Sequence, residues 1–306
     1  YNGGTIYVDH ASSYIYLKHQ VSMRVGETLV GKHEFEHLAD GFNVKLKSFR
    51  ADNHPFAAED FVKDIKLHSQ TIDYSGVGAH FQNGVAERAI QTVVTWARAM
   101  LMHQLIHWPQ HFDPGLWPFA MAYAVHLWNH MPRSRNHLSP VELFTGTKLP
   151  SNDVLHSARV WGCPVYVLDP KLQDGRTLPK WSMRSRQGMF VGPSPDHATT
   201  VGNILNLQTG SISPQYHVVY DEQYSTTYGS LTDIAFSEDL WTTLLEAGGL
   251  ENTLDRTDIK GDHVPFEDLY DDFLDLNSDD SSVPEGELTD DESDDELDDD
   301  EASVTS

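Results

Sequence analysis

Apolar and polar positions follow two rhythms along this chain, a mixed one up to about residue 157 and a short-strand one from Trp161 to Tyr220. From Gly4 to Lys18, TIYVD and YIYLK flank the polar HASS, which is the pattern of a β-hairpin. GETLVGKHEFEHLADGF, Gly26 to Phe42, spaces Leu29, Phe35 and Leu38 at helical intervals and ends near Gly41, a residue suited to a helix C-cap. VKLKSFRA (44 to 51) alternates like a strand that stops at Asp52, FAAEDFVKDIKLHSQ reads as an amphipathic helix through Phe61, Ile65 and Leu67, and QTIDYSG reads as a strand. Strand, helix, strand is a βαβ unit and predicts a parallel pair. GVGAHFQNG is a loop by its glycines, VAERAIQTVVTWARAMLMHQL is the longest helical pattern, and a second helix runs through Ala120, Tyr123, Ala124 and Leu127 until Pro132 ends it. GCPVYVLD, GMFVGPS, VGNILNLQTG and YHVVYDE are short strands between turn residues, as in a small barrel or sandwich.

Charge separates a tail from this body. Residues 221 to 306 hold 29 of the 46 acidic side chains against Arg256 and Lys260 alone, about −27, whereas residues 1 to 220 come to about +2. The pI of 4.8 therefore describes the tail. Beyond about residue 230 only islands such as FSEDLWTTLLEAGGL have helical spacing, and the acidic run that follows cannot bury enough apolar surface to fold alone. A near-neutral body leaves a nucleic-acid partner possible, which the whole-chain average would argue against. Cys163 is the single cysteine in the sequence, so no internal disulfide and no Cys-based zinc module can form. No run of about eighteen apolar residues and no secretory pattern is found, so the expectation is no membrane and no secretion. The chain opens at Tyr1 inside a strand approach and reads as a piece of something longer.

The residues with candidate chemistry are Asp52 and Glu87, separated by 34 residues. Asp52 is predicted at a strand end and Glu87 in the first turn of the long helix, so both can meet at one sheet edge. Carboxylates held that way suit a hard, oxygen-seeking Mg²⁺, and metal pairs assist in-line displacement at phosphorus. A solvated strand-end Asp and a Glu favoured by the helix dipole explain the same two residues without any chemistry.

The words around them narrow the choice. FRADN, YSGVGAHFQNGVAERAIQTV and WPFAMAYAVHLWNHMPRSRNHLSPVELFTGTKLP, in that order, resemble the integrase region of copia-type LTR retrotransposon polyproteins, and GCPVYVLD, GMFVGPS and ILNLQTGSISPQYHVVYDE resemble the SH3-like domain that follows it. The resemblance spans roughly residues 1 to 225. It implies an α/β, RNase H-like mixed sheet with flanking helices over residues 1–105, a helical extension over 106–157, an SH3-like β-barrel over 158–225 and an acidic, largely disordered tail over 226–306. It also implies that Asp52 and Glu87 match the second and third acidic residues of a DDE triad, with Asn83 and Gly84 in the loop ahead of the glutamate; the spacing is one residue short of the family's usual one. The family places three strands before its first helix and the first catalytic Asp on the first of them. Only two precede Gly26 here, so the first strand and its Asp are expected upstream of Tyr1, and Asp9 is expected to cap a turn rather than bind metal. The implied activity is polynucleotidyl transfer, integration of element cDNA ends into target DNA with Mg²⁺ or Mn²⁺, by a homo-oligomer on DNA, in the nucleus or a cytoplasmic particle. The alternative is a non-catalytic retroelement remnant or host-adopted interaction scaffold.

Arg88, Arg98, Lys45, Lys47 and Arg50 flank the site, and Lys180, Arg184 and Arg186 form the densest basic cluster; either group could position a phosphate backbone or be solvated surface. His33 and His37 lie four apart on a helix, a zinc-compatible spacing, with no third ligand evident in sequence, and are expected at the surface. Trp108, Trp117 and Trp128 are expected in the core, and Cys163 as a buried thiol.

Overall fold

The computed structural model describes residues 1–52, 56–76, 83–134, 137–149 and 153–227, all within one compact unit. The acidic tail expected over 226–306 lies outside the described residues beyond Thr227. Strands β1 (Gly3–Val8) and β2 (Ile15–Gln20) form the expected antiparallel hairpin, in register from Gly3 opposite Gln20 to Val8 opposite Ile15. Its turn is built by Asp9, whose Oδ2 accepts from the Ser12 backbone amide at 2.8 Å and from Ser12 Oγ at 2.5 Å. Asp9 is thus the turn cap expected from sequence.

Helix α1 (Val25–Gly41) starts where Glu27 accepts from the amides of Val21 and Ser22, fixing the approach to its first turn. Its buried stripe is Thr28, Gly31, Lys32, Phe35 and Ala39. That stripe is rotated from the Leu29 and Leu38 face the spacing suggests and carries a lysine, held by Glu36 one turn along α1 and by Asp64 of α2. Strand β3 (Ser48–Ala51), helix α2 (Glu59–Leu67) and strand β4 (Thr71–Tyr74) make the expected βαβ unit, with Ser48 opposite Thr71 and Ala51 opposite Tyr74 in parallel. β3 is shorter than the alternation of 44 to 51 suggests. In α2, Glu59 and Asp60 lie at the positive end of the helix dipole and Lys66 at the negative end, while Phe61 and Ile65, four apart, bury its inner face.

The expected single mixed sheet is observed as two separate pairs, β1–β2 and β3–β4. No strand pairs with the second side of β1 or of β3 among the described residues, and this divides the sheet. Both pairs nevertheless rest on α1: Phe35 stacks against the Tyr7 and Tyr16 rings of the hairpin, and the Lys32 ammonium lies 5.4 Å from the Phe49 ring of β3.

Helix α3 (Gly84–His107) and helix α4 (Trp117–His130) cover the hairpin. Asn129 accepts the Ile15 amide through Oδ1 at 2.9 Å and donates Nδ2 to the Ile15 carbonyl at 2.7 Å, so one side chain satisfies the backbone of β2 as a neighbouring strand would. Trp108, Trp117 and Trp128 are buried, as expected of core rather than stacking residues. Helix α5 (Pro140–Thr145) opens with a capping box between Ser139 and Glu142, and α6 (Asp153–His156) follows.

From Pro164 the chain becomes a meander. β5 (Pro164–Leu168), helix α7 (Pro170–Gln173), β6 (Ser185–Pro193), β7 (Gly202–Asn206), β8 (Ile212–Gln215) and β9 (Val218–Tyr220) give one antiparallel five-stranded sheet, order β8-β7-β6-β5-β9. Its two edge strands do not pair with each other, so its ladder is open. Gly188 is required in β6, because a Cβ there would fall 2.6 Å from Ile204 Cγ2 and 2.8 Å from the Leu205 carbonyl oxygen. The sheet sits against α4, where Tyr123 Oη donates to the Arg159 carbonyl and accepts the Arg159 amide, and Phe190 meets the Tyr123 ring edge-on. No described helix is long and apolar enough to cross a membrane.

Candidate functional site

Asp52 follows directly on β3, at its C-terminal end, and is exposed. The parallel pairing of β3 with β4 extends one step further, the Ser75 amide donating to the Ala51 carbonyl at 3.2 Å, and Ser75 Oγ reaches Asp52 Oδ1 at 3.5 Å. Glu87 lies in the first turn of α3, also exposed, and Asn83 is the N-cap of that helix, without a side-chain capping bond. These are the element ends at which the sequence predicts them. Residues 77–82, which join β4 to α3 in sequence, lie outside the described residues. Two exposed carboxylates at the end of a strand and the start of a helix are the donor type that fits a hard, largely hydrated cation such as Mg²⁺. The amide end of α3 beside Glu87 favours an anion such as a phosphate.

The candidate cations divide between elements. Arg88 is half-buried on α3, whereas Lys45 is paired with Asp40 at 2.7 Å and Arg50 stands opposite Asp73 in the β3–β4 register. Lys180, Arg184 and Arg186 belong to the approach and start of β6, a different element from those that carry Asp52 and Glu87. Lys180 and Arg184 are exposed, with the Lys180 ammonium 5.4 Å from the ring of the exposed Trp181; Arg186 is half-buried opposite Val167. Cys163 is buried, and burial first, then Glu222 and Asp221, push its thiol up to about 12, so it is no nucleophile.

No protein-family profile matches the chain. Among curated proteins, the retrovirus-related Pol polyprotein from transposon RE1 of Arabidopsis thaliana is 31% identical over 224 residues, 71% of this chain, and that from transposon RE2 is 27% identical over 235 residues, 72% of this chain. The chain is a homologue of transposon Pol polyproteins. It spans about 14% of the length of either. Solved structures that superpose on it include the HTLV-2 integrase catalytic core domain in complex with magnesium, in trimeric and dimeric forms, each with TM-score 0.35 and 15% identity, over 46% of this chain and 83% of that one. The simian T-cell lymphotropic virus intasome in complex with PP2A regulatory subunit B56 gamma superposes with TM-score 0.37 and 14% identity, over 70% of each chain. Superpositions this loose do not bear on residue roles.

In this Pol-related chain the densest described meeting of ionisable groups is one that sequence reasoning missed. His33 does not look to His37 for a partner but to α2, 31 residues along the chain, its Nε2 lying 2.8 Å from Asp64 Oδ1. His33 and His37 are both exposed, as expected, and His37 takes no part in the cluster; His33, Glu36 and His68 instead bring one donor atom each to within 4.8 Å of one another. The Lys32 ammonium, wholly buried, bonds both Glu36 Oε1 and Asp64 Oδ2 at 2.7 Å. Burial of Asp64 opposes its ionisation, but hydrogen bonds from Lys32 and His33 outweigh that and hold its carboxyl below the ordinary range. The spacing of His33 and Glu36 on one helix was readable; the closing member, His68 at the end of α2, was not.

Proposed function

We propose that this chain is the integrase-type segment of a copia-like Pol polyprotein, a polynucleotidyl transferase that joins element cDNA ends to target DNA. The observation that carries the reading is the pair Asp52 and Glu87, set at the end of β3 in a parallel βαβ unit and in the first turn of α3, within a homologue of transposon Pol polyproteins. In such a transfer a 3′-hydroxyl attacks phosphorus in line, the new phosphodiester forms, and the displaced 3′-oxygen leaves. Mg²⁺ or Mn²⁺, when bound, lowers the cost of the attacking and leaving oxygens' charge. Asp52 and Glu87 are the ligands offered by this chain, and the amide end of α3 favours an anion beside them.

A third carboxylate completes the set, from a strand lying between β1 and β3, antiparallel to the first and parallel to the second. Among the described residues β1–β2 and β3–β4 are separate pairs with open sides, which supports that reading, since one strand inserted between β1 and β3 would merge them into a sheet of order β2-β1-insert-β3-β4. Asp9 does not serve, because its carboxylate is committed to its turn. Asn83 and Arg88 near the helix start, and Lys180, Arg184 and Arg186 in the approach to and start of β6 in the SH3-like sheet, are the proposed phosphate contacts. A homo-oligomer on DNA follows from the same reading, as does work in the nucleus or a cytoplasmic particle.

The test is Mn²⁺-dependent strand transfer on a labelled oligonucleotide, comparing this chain with one extended upstream through its reading frame, each with and without Glu87→Gln. Joined product from the extended chain, lost with Glu87→Gln, supports the reading. If the extended chain makes none, or its product survives Glu87→Gln, the non-catalytic scaffold reading replaces it.

A further inference from the structure

We propose that His33, Glu36 and His68 form a second, nitrogen-rich metal site of the zinc class, separate from the carboxylate pair, that fastens α1 to the end of α2. Three observations converge on it. The donor atoms of these residues already lie within 4.8 Å of one another, the span of a single coordination sphere. Two imidazoles and a carboxylate suit Zn²⁺, which takes three protein ligands and water, and suit Mg²⁺ poorly. Asp64 supplies the supporting shell: its carboxylate engages His33 Nε2 at 2.8 Å and its carbonyl lies 2.9 Å from His68 Nδ1. Asp64 thus contacts one nitrogen of each ring and orients both, as hydrogen-bonded carboxylates and carbonyls do around metal-binding histidines.

Charge points the same way. The knot holds the Lys32 ammonium against the carboxylates of Glu36 and Asp64, which leaves about one negative charge in excess beside a side chain that is wholly buried. The Glu36 side chain is already anchored through Oε1 by Lys32 and by Gln70 Nε2 at 2.6 Å, so it stands ready without reorganisation. The rings of His33 and His68 are about half exposed, which gives an ion a path in from solvent. The consequence is mechanical. Because α2 joins β3 to β4, a metal held between α1 and the α2 terminus fixes the βαβ unit whose first strand, β3, leads into Asp52.

The experiment is zinc binding by the full chain alone, without DNA, by isothermal titration and by competition with a chromophoric chelator, followed by replacement with Co²⁺. The expected result is one Zn²⁺ per chain, weakened at least about tenfold by His33→Ala and by His68→Ala, and about 10–100-fold by Asp64→Asn. It is unchanged in the Asp52→Asn, Glu87→Gln double variant, so this site and the integrase reading fail separately. The two histidines are exposed enough that their removal leaves the core intact. Intense visible Co²⁺ absorption reports tetrahedral nitrogen coordination in the unmodified protein. No zinc binding, or binding indifferent to both histidine substitutions, or a weak octahedral Co²⁺ spectrum, overturns the proposal.

Discussion

The five-stranded sheet and the α/β half bury different kinds of side chain. In the sheet and at its entry, Cys163, Val165, Val167, Met189 and Ile204 are at most 1% exposed, and all are apolar or nearly so. In the α/β half the most deeply buried side chains include Lys32, Gln20 and Thr28, at 0–1% exposure, beside Phe61 and Ile15. Gln20 accepts from Thr5 and donates to Thr28, and Lys32 is held by two carboxylates, so each polar group is satisfied. An apolar layer asks only for volume, whereas a polar one asks for particular partners at particular distances. The half that carries Asp52 is therefore the half whose packing is specified by hydrogen bonds and charge.

That contrast breaks most visibly at Lys32. Lys32→Ala leaves Glu36 and Asp64 shielded from water without their cation, and the expected loss is about 3–5 kcal/mol of unfolding free energy by urea titration. A loss below about 1 kcal/mol would mean that water reaches both carboxylates and that the knot is surface in disguise. Ile204→Ala, at the centre of the sheet, removes only volume, and about 3 kcal/mol is expected. The two substitutions should also differ in kind: adding salt should change the Lys32→Ala deficit through the unpaired carboxylates and leave the Ile204→Ala deficit nearly constant.

Sequence reading reached the elements of both halves and few of their connections. The hairpin, α1, the βαβ unit, α3, α4 and most of the meander are legible because period-2 and period-3.6 patterns are local properties. The edges are less so: residues 44 to 47 alternate but do not pair, since pairing depends on where β4 begins. α5 was overlooked although Ser139, Pro140 and Glu142 spell out its start. Asp52 and Glu87 were found through the words around them, not through periodicity, which treats both as ordinary surface acids. Contacts such as Asn129 with Ile15, 114 residues apart, leave no local trace. Lys32 is the clearest failure, because a lysine on an amphipathic helix reads as solvent-facing, and of the two carboxylates that hold it buried only Glu36 is local while Asp64 is 32 residues away.

The smallest expected effect lies on the seam where α4 meets the five-stranded sheet, and it sharpens the comparison by joining the two halves. His126 stacks on Tyr123 and lines, with Arg159, Phe190 and Tyr220, a cavity of about 60 Å³ at that seam. Burial, and to a lesser degree the neighbouring His130, lowers its pKa from 6.5 to about 4. The unfolded chain therefore takes up a proton on this residue before the folded one does. Its contribution to stability is full above the ordinary value of 6.5 and is eroded as pH falls towards about 4, below which both states are protonated. The urea midpoint should fall between pH 7 and pH 5, and His126→Phe, which cannot take the proton, should flatten part of that decline. If the slope is the same with and without the imidazole, His126 is hydrated in solution, and the seam between the apolar sheet and the polar-cored half is wetter than its packing indicates.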